Sequence, residues 1–270
     1  MKTDPMSCPL PAEALQSLIL GIGSDFDTCA APDVPDRVRS RLKSATTTPD
    51  LLLESSDLLL HQMRNTPAER FLVRDPHSRF TLQLFCWAPG FGNLPHLHAN
   101  WTVSAVLAGS ISVQRSAVSE ADCCASPPLL ASTGEVGMLR PPQYHCLKNP
   151  SSTEAAVTFH VFPLEDSYHQ ETAESNRPVR RIDSAGILAL AKLAAIHGGQ
   201  RSMNILRNAF EVAGNHTKLE VIKLLAKVDP QETVRLGTML AHQVGGADGE
   251  RLLNVLSRFE RGTGGNELRQ

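Results

Sequence analysis

The feature that most constrains this chain is the run Pro95-His96-Leu97-His98-Ala99-Asn100-Trp101, answered by Tyr144-His145-Cys146-Leu147-Lys148-Asn149, with His145 standing 47 residues after His98. Alternate residues of a β-strand face the same side, so an HxH on a strand aims two imidazoles at one point. A third histidine from a neighbouring strand closes a facial three-nitrogen site and leaves the other side of a metal open. Such a site suits Fe, Zn, Cu or Ni. A bare HxH is common by chance, and a lone strand histidine is more often a hydrogen-bonded structural one. Context raises the metal reading here: Gly92 and Pro95 precede the pair, and an apolar run from Trp101 ends at Gly109. Gly134, Gly137, Pro141 and Pro142 precede His145.

The texture of the chain divides it into three parts. Residues 1–66 read as a helical segment with breaks. A short helix starts near Pro11, Gly21, Gly23, Pro32 and Pro35 interrupt it, and a turn or two is expected over 36–43. Another helix opens on an Asp50 cap. Residues 67–170 are expected to hold the barrel and its metal site: Arg79 to Trp87 and Ala155 to Phe162 alternate with period two, as half-buried strands do. Trp101 to Arg115 makes two strands broken at Gly109, and 117–132 is a Ser/Ala/Pro loop. Residues 183–262 are helical again, capped by Asp183/Ser184, by the box Thr217-Lys-Leu-Glu220, by Asp229-Pro230-Gln-Glu232 and by Asp248, with stops at Gly198-Gly199, Gly214 and Gly245-Gly246.

Composition excludes several classes of partner. A net charge of −2 gives no electrostatic ground for binding nucleic acid or an anionic membrane. No apolar run approaches the roughly 20 residues of a membrane span, and the N-terminus lacks the continuous apolar stretch of a secretory signal. The six cysteines show no CxxC and no regular spacing. Reduced thiols in a cytoplasmic protein are the simplest reading.

The two histidine segments resemble the two-motif signature of the cupin superfamily. The fold class expected from that resemblance is mainly β: a double-stranded β-helix (jelly-roll) barrel, with N-terminal helices and a C-terminal all-helical extension. The family's usual Glu ligand after the HxH falls at Thr102, and its usual glycine before the second-motif histidine falls at Pro142. With the carboxylate missing, a three-histidine site is implied. Within the superfamily, Arg70 to Phe162 resembles the cysteine dioxygenase-like thiol dioxygenases. Arg70-Phe-Leu-Val stands 26 residues before the HxH, and His160, in Thr158-Phe-His-Val-Phe162, follows His145 by fifteen.

That resemblance implies Fe(II) held by His96, His98 and His145, a substrate carboxylate clamped by Arg70, and a relay at Thr158, His160 and Phe162 as catalytic positions. Trp101 is the candidate aromatic contact to substrate. A guanidinium can hold a carboxylate bidentately, although a surface arginine at a strand edge is the plain alternative for Arg70. Three neutral imidazoles leave Fe(II) its full charge, which a substrate thiolate can neutralise. The departures from the family are specific. Phe162 replaces the relay Tyr, Ala68 an aromatic residue and Leu97 the usual Asp, and Val103 stands where animal enzymes carry a crosslinking Cys. The pocket is therefore expected to be less polar than one built for cysteine.

The leading expectation is an Fe(II)-dependent dioxygenase that turns a small thiol, cysteine-like or a mercapto acid, into a sulfinate with O2. Two other readings stay open. One is another metallo-cupin enzyme, a lyase, an isomerase or a differently directed oxygenase. The other is a cupin sensor or scaffold that uses its helical tail to bind a protein partner or to form a homodimer.

Overall fold

A computed structural model of the protein describes residues 13–65, 70–163 and 184–267, with the side chains of 62–65, 70–72 and 263–267 outside the description. The chain divides into two compact units, Met1–Gly186 and Ile187–Gln270.

The first unit opens with three helices, α1 (Glu13–Thr28), α2 (Val34–Ala45) and α3 (Pro49–Asn65). Contrary to the expected breaks, α1 runs straight through Gly21 and Gly23. These glycines leave the space that two arginine side chains occupy: a Cβ at Gly21 would stand 2.5 Å from Arg41 Nη1, and one at Gly23 would meet the Arg79 guanidinium. Arg41 grips Asp25 with two bonds of 2.7 Å, tying α2 to α1. Pro35 lies in the first turn of α2, where its missing N–H has no partner to lose. Asp50 likewise lies inside the first turn of α3, after Pro49, and not at the cap. The expected start at Pro11 lies outside the described residues.

Eight strands follow: β1 (Arg70–Arg74), β2 (Phe80–Trp87), β3 (Thr102–Ala108), β4 (Ser110–Ser116), β5 (Leu129–Ser132), β6 (Val136–Leu139), β7 (Tyr144–Lys148) and β8 (Ala156–Pro163). They form a five-stranded sheet in the order β1-β2-β8-β3-β6 and a three-stranded sheet in the order β5-β4-β7, with every pairing antiparallel. The chain passes between the sheets at Gly109, whose φ of +74° admits the tight turn. A cluster of Trp87, Val106, Ile111, Leu147 and Ala156 draws on both sheets and packs between them.

The expectation of half-buried strands fails for β2 and β8. All eight residues of β8 are buried, and all but one of β2. One face of each strand lines the interior between the sheets. On the other, helices cover an apolar layer that includes Phe80, Leu82, Leu84, Phe159 and Val161, with Phe26 of α1 stacked on Phe80 at 5.5 Å. The expected loop over 117–132 contains a short helix, α4 (Glu120–Ala125), capped by Ser119, followed by β5.

The second unit is helical: α5 (Ser184–His197), α6 (Gly199–Val212), α7 (Asn215–Leu225), α8 (Pro230–Val244) and α9 (Gly246–Glu267). Asp229 caps α8 as expected, accepting from Glu232 N at 3.0 Å. The predicted capping box at Thr217 does not form. Helix α7 already begins at Asn215, and Thr217 is buried within it. Gly237 of α8 lets Leu256 of α9 close in, since a Cβ there would stand 2.7 Å from its Cδ2. The Asp183 cap lies outside the described residues. With helix exceeding strand among the described residues, the mainly-β expectation is corrected to antiparallel sheets with many helices. No described helix is long and apolar enough to cross a membrane.

Candidate metal centre

The HxH segment is not a regular strand. It touches β7 through two isolated bridges, Gly92 with Lys148 and His96 with His145. Three residues lie between the bridged positions on the HxH side and two on β7, so the segment bulges. Two local features account for this. Pro95 has no N–H to add to a ladder, and the Asn93 side chain accepts from Leu147 N at 2.7 Å in place of a backbone carbonyl. Gly92 is required for the close approach, because a Cβ there would lie 2.7 Å from the Leu147 carbonyl oxygen. At the second bridge, His96 and His145 exchange both backbone bonds at 3.0 Å. Directly opposed residues of an antiparallel pair share a face. The bridge therefore aligns the two rings.

The three rings meet. Their centroids lie 4.9 Å apart for His96 and His98, 4.3 Å for His96 and His145, and 4.8 Å for His98 and His145. One ring nitrogen from each falls within 4.8 Å of the others, a group that could hold a metal ion. Nδ1 of His96 lies 2.9 Å from the Leu94 carbonyl, a bond that makes it the protonated nitrogen and leaves Nε2 to coordinate. Nδ1 of His145 is buried with no hydrogen-bond partner among the described residues.

Electrostatics favour neutral rings at His98 and His145. Burial first, then repulsion from His96 and His160, lowers His98 to about 3. Burial, then His96 and His98, lowers His145 to about 2, with the Gln143 backbone carbonyl opposing. A neutral imidazole is the form that ligates. The converging nitrogens, the orphaned Nδ1 and the low basicity together fit a divalent metal.

Behind the histidines, β8 carries Thr158, His160 and Phe162 on one face. Trp87 Nε1 donates to Thr158 Oγ1 at 2.7 Å, and Thr158 Oγ1 lies 2.7 Å from His160 Nε2. Indole can only donate, so Thr158 Oγ1 accepts from Trp87. Nδ1 of His160 lies 2.8 Å from Ser104 Oγ, so each ring nitrogen has a hydroxyl partner. His160 is buried and held low, to about 3, by desolvation and then by His145 and His96. With both nitrogens engaged, it stands behind the metal site and does not coordinate. Phe162 stacks parallel to His160 at 5.9 Å and reaches within 5.2 Å of the His98 ring.

The other expected site residues are placed as follows. Arg70 opens β1 opposite Phe85, with its side chain outside the described residues. Trp101 packs on Phe26 of α1, ring centroids 5.9 Å apart. Asn149 is structural: buried, it donates to the Trp87 and Glu154 carbonyls at 3.0 and 2.8 Å and pins the end of β7 to the end of β2. Ser104 and Trp87 carry no motif, and nothing in the sequence alone brings them to the site. Alternation could place Ser104 on the face of Thr102, but only the register of β3 on β8 puts it opposite His160.

No protein-family model and no curated protein matches the chain. Among solved structures, it is similar to a cupin superfamily protein from Desulfitobacterium hafniense, at 12% identity over 35% of this chain and 77% of that one, with a TM-score of 0.28. An RmlC-like cupin from Shewanella frigidimarina gives 15% identity over 35% and 73%, with a TM-score of 0.28. KdgF from Halomonas sp. gives 14% over 35% and 76%, with a TM-score of 0.29. At these scores the likenesses carry no argument, and the functional reading rests on the site.

Proposed function

We propose that this chain is a metallo-cupin enzyme, and more specifically an Fe(II)-dependent dioxygenase that converts a small thiol into its sulfinate with O2. The observation that carries the reading is the convergence of three imidazoles, His96, His98 and His145, with no carboxylate in the cluster among the described residues. Such a set would hold Fe(II) with its charge uncompensated, favouring an anionic thiolate in a buried site. When bound, iron would lower the thiol pKa and bring substrate and O2 together; overall, RSH + O2 gives RSO2H.

The chain's own residues then orient and exclude. The Trp87–Thr158–His160–Ser104 chain of hydrogen bonds fixes the His160 ring. The Phe162 ring, stacked on it, presents an apolar wall 5.2 Å from His98. Exposed Leu94 and Leu97 flank His96 and His98 on the HxH segment. Arg70 is proposed to bind the substrate carboxylate.

The second reading, a metal-dependent lyase, isomerase or differently directed oxygenase, is favoured by the same wall. Phe162 offers no hydroxyl, and His160 has no nitrogen to spare for a substrate proton. Oxygen uptake by the iron-loaded protein on a panel of thiols decides between them. Sulfinate formation supports the first reading, with Arg70→Ala raising KM for mercapto acids and leaving aminothiols unaffected. Inactivity on every thiol with iron bound leaves the second.

A further inference from the structure

Thr102 begins β3, four residues after His98, and is 2% exposed. Its Oγ1 is buried without a hydrogen-bond partner. A strand threonine ordinarily directs its hydroxyl to solvent, a neighbouring side chain or a backbone carbonyl, and a buried hydroxyl left alone is disfavoured. The register shows where this one faces. Val103 pairs with Val161 and Ser104 with His160, so the next position outward sets Thr102 beside Phe162, on the face that carries His160. Ser104, on the same face of β3, engages His160 and makes no bond to Thr102. Phe162 lies beside His98, 5.2 Å between ring centroids. On the far side of Phe162, Thr81 is 0% exposed and its hydroxyl also lacks a partner. The row next to the histidines thus carries two buried hydroxyls with no partner among the described residues.

We propose that Thr102 is a ligand-contacting residue: its hydroxyl donates a hydrogen bond to the exogenous ligand at the open side of the three-histidine site and selects ligands that carry an acceptor there. The role rests on the metal reading above. It differs from coordination, because a hydroxyl four residues beyond the pair supplies a directional donor and no negative charge. It differs from a structural role, because no atom of the described residues receives the bond.

The test uses the full chain loaded with Co(II), and azide as a small anion whose terminal nitrogen accepts hydrogen bonds, followed by the visible absorption of the metal. Thr102→Val keeps the shape and removes the hydroxyl; Thr102→Ser keeps the hydroxyl. The expected result is unchanged Co(II) content in both, azide binding weakened about fivefold or more in the valine variant, and binding within about twofold of wild type in the serine variant. In metal-free protein, Thr102→Val should melt at or above the wild-type temperature, since the lost hydroxyl had no partner, whereas a structural hydroxyl would lower it. Wild-type azide affinity in the valine variant overturns the proposal, as does loss of Co(II) from it, which would make Thr102 a ligand. Failure of the wild type to bind Co(II) overturns the metal reading itself.

Discussion

Thr158 sits between two groups that have no other partner, the Trp87 indole N–H and His160 Nε2. Thr158→Val should therefore leave two buried ring nitrogens unpaired, a loss of about 2–4 kcal/mol measurable by urea unfolding of metal-free protein. Thr158→Ser should restore most of it, and equal stability of the valine variant would show that the chain of bonds is not made. The histidines make a separate prediction. Because His96 and His145 supply two of the three converging nitrogens, His96→Ala and His145→Ala should each reduce bound iron to less than about a tenth. Elemental analysis of purified protein checks this, and full iron content in both variants would remove the site assignment.

At the scale of elements, the bulged bridge between the HxH segment and β7 is the joint that holds the site. Gly92→Ala would drive a methyl group into the Leu147 carbonyl and disturb the pairing that aligns His96 with His145. A loss of about 1–3 kcal/mol and weaker metal binding are expected together, read by thermal unfolding and metal titration. In the helical unit, Glu232 of α8 binds Arg235 and reaches Arg207 of α6 at 2.6 Å. The Arg235 bonds and then those of Arg207 outweigh desolvation and lower Glu232 from 4.5 to about 2. A depressed carboxylate stabilises the fold above its unfolded pKa, and that contribution fades as pH falls through the folded value. Glu232→Gln should thus be destabilising at pH 7 by about 1–2 kcal/mol, reduced because both arginines are partly exposed. Its gap from wild type should close between pH 4.5 and about 2. A gap that persists at pH 2 would mean that packing, and not charge, sets the loss.

At the scale of the whole molecule, the candidate metal site and the C-terminal helices belong to different units. The three histidines lie in Met1–Gly186 and the Glu232 network in Ile187–Gln270. Ferrous iron at about a hundred times its dissociation constant should stabilise the first unit by about 2.7 kcal/mol. In calorimetry its transition should move up on adding iron and return with chelator, while the transition sensitive to Glu232→Gln stays in place. A common shift of both would show that the units unfold together.

Local chemistry is legible in the amino-acid sequence itself. Period-two alternation marks β2 and β8, the apolar run broken at Gly109 marks β3, and Asp229-Pro230 marks the start of α8. The spacing of His96, His98 and His145 marks the rings that meet, because a two-residue repeat and a strand partner are properties of nearby residues. Other features depend on what each segment packs against. Gly21 and Gly23 read as breaks, yet the space beside them is filled by Arg41 and Arg79 from elsewhere in the fold. Strands β2 and β8 read as half-buried, yet helices cover their second face. The HxH reads as a strand, yet Pro95 and Asn93 reduce it to a bulged bridge. Ser104 carries no motif, and Thr102 is legible only as the position where the resembled family has its carboxylate. Only the register of β3 on β8 sets one against His160 and the other, its hydroxyl unpaired, beside Phe162. Backbone preference is written along the chain, but burial and partnership are settled between residues far apart in it, and those decide the site.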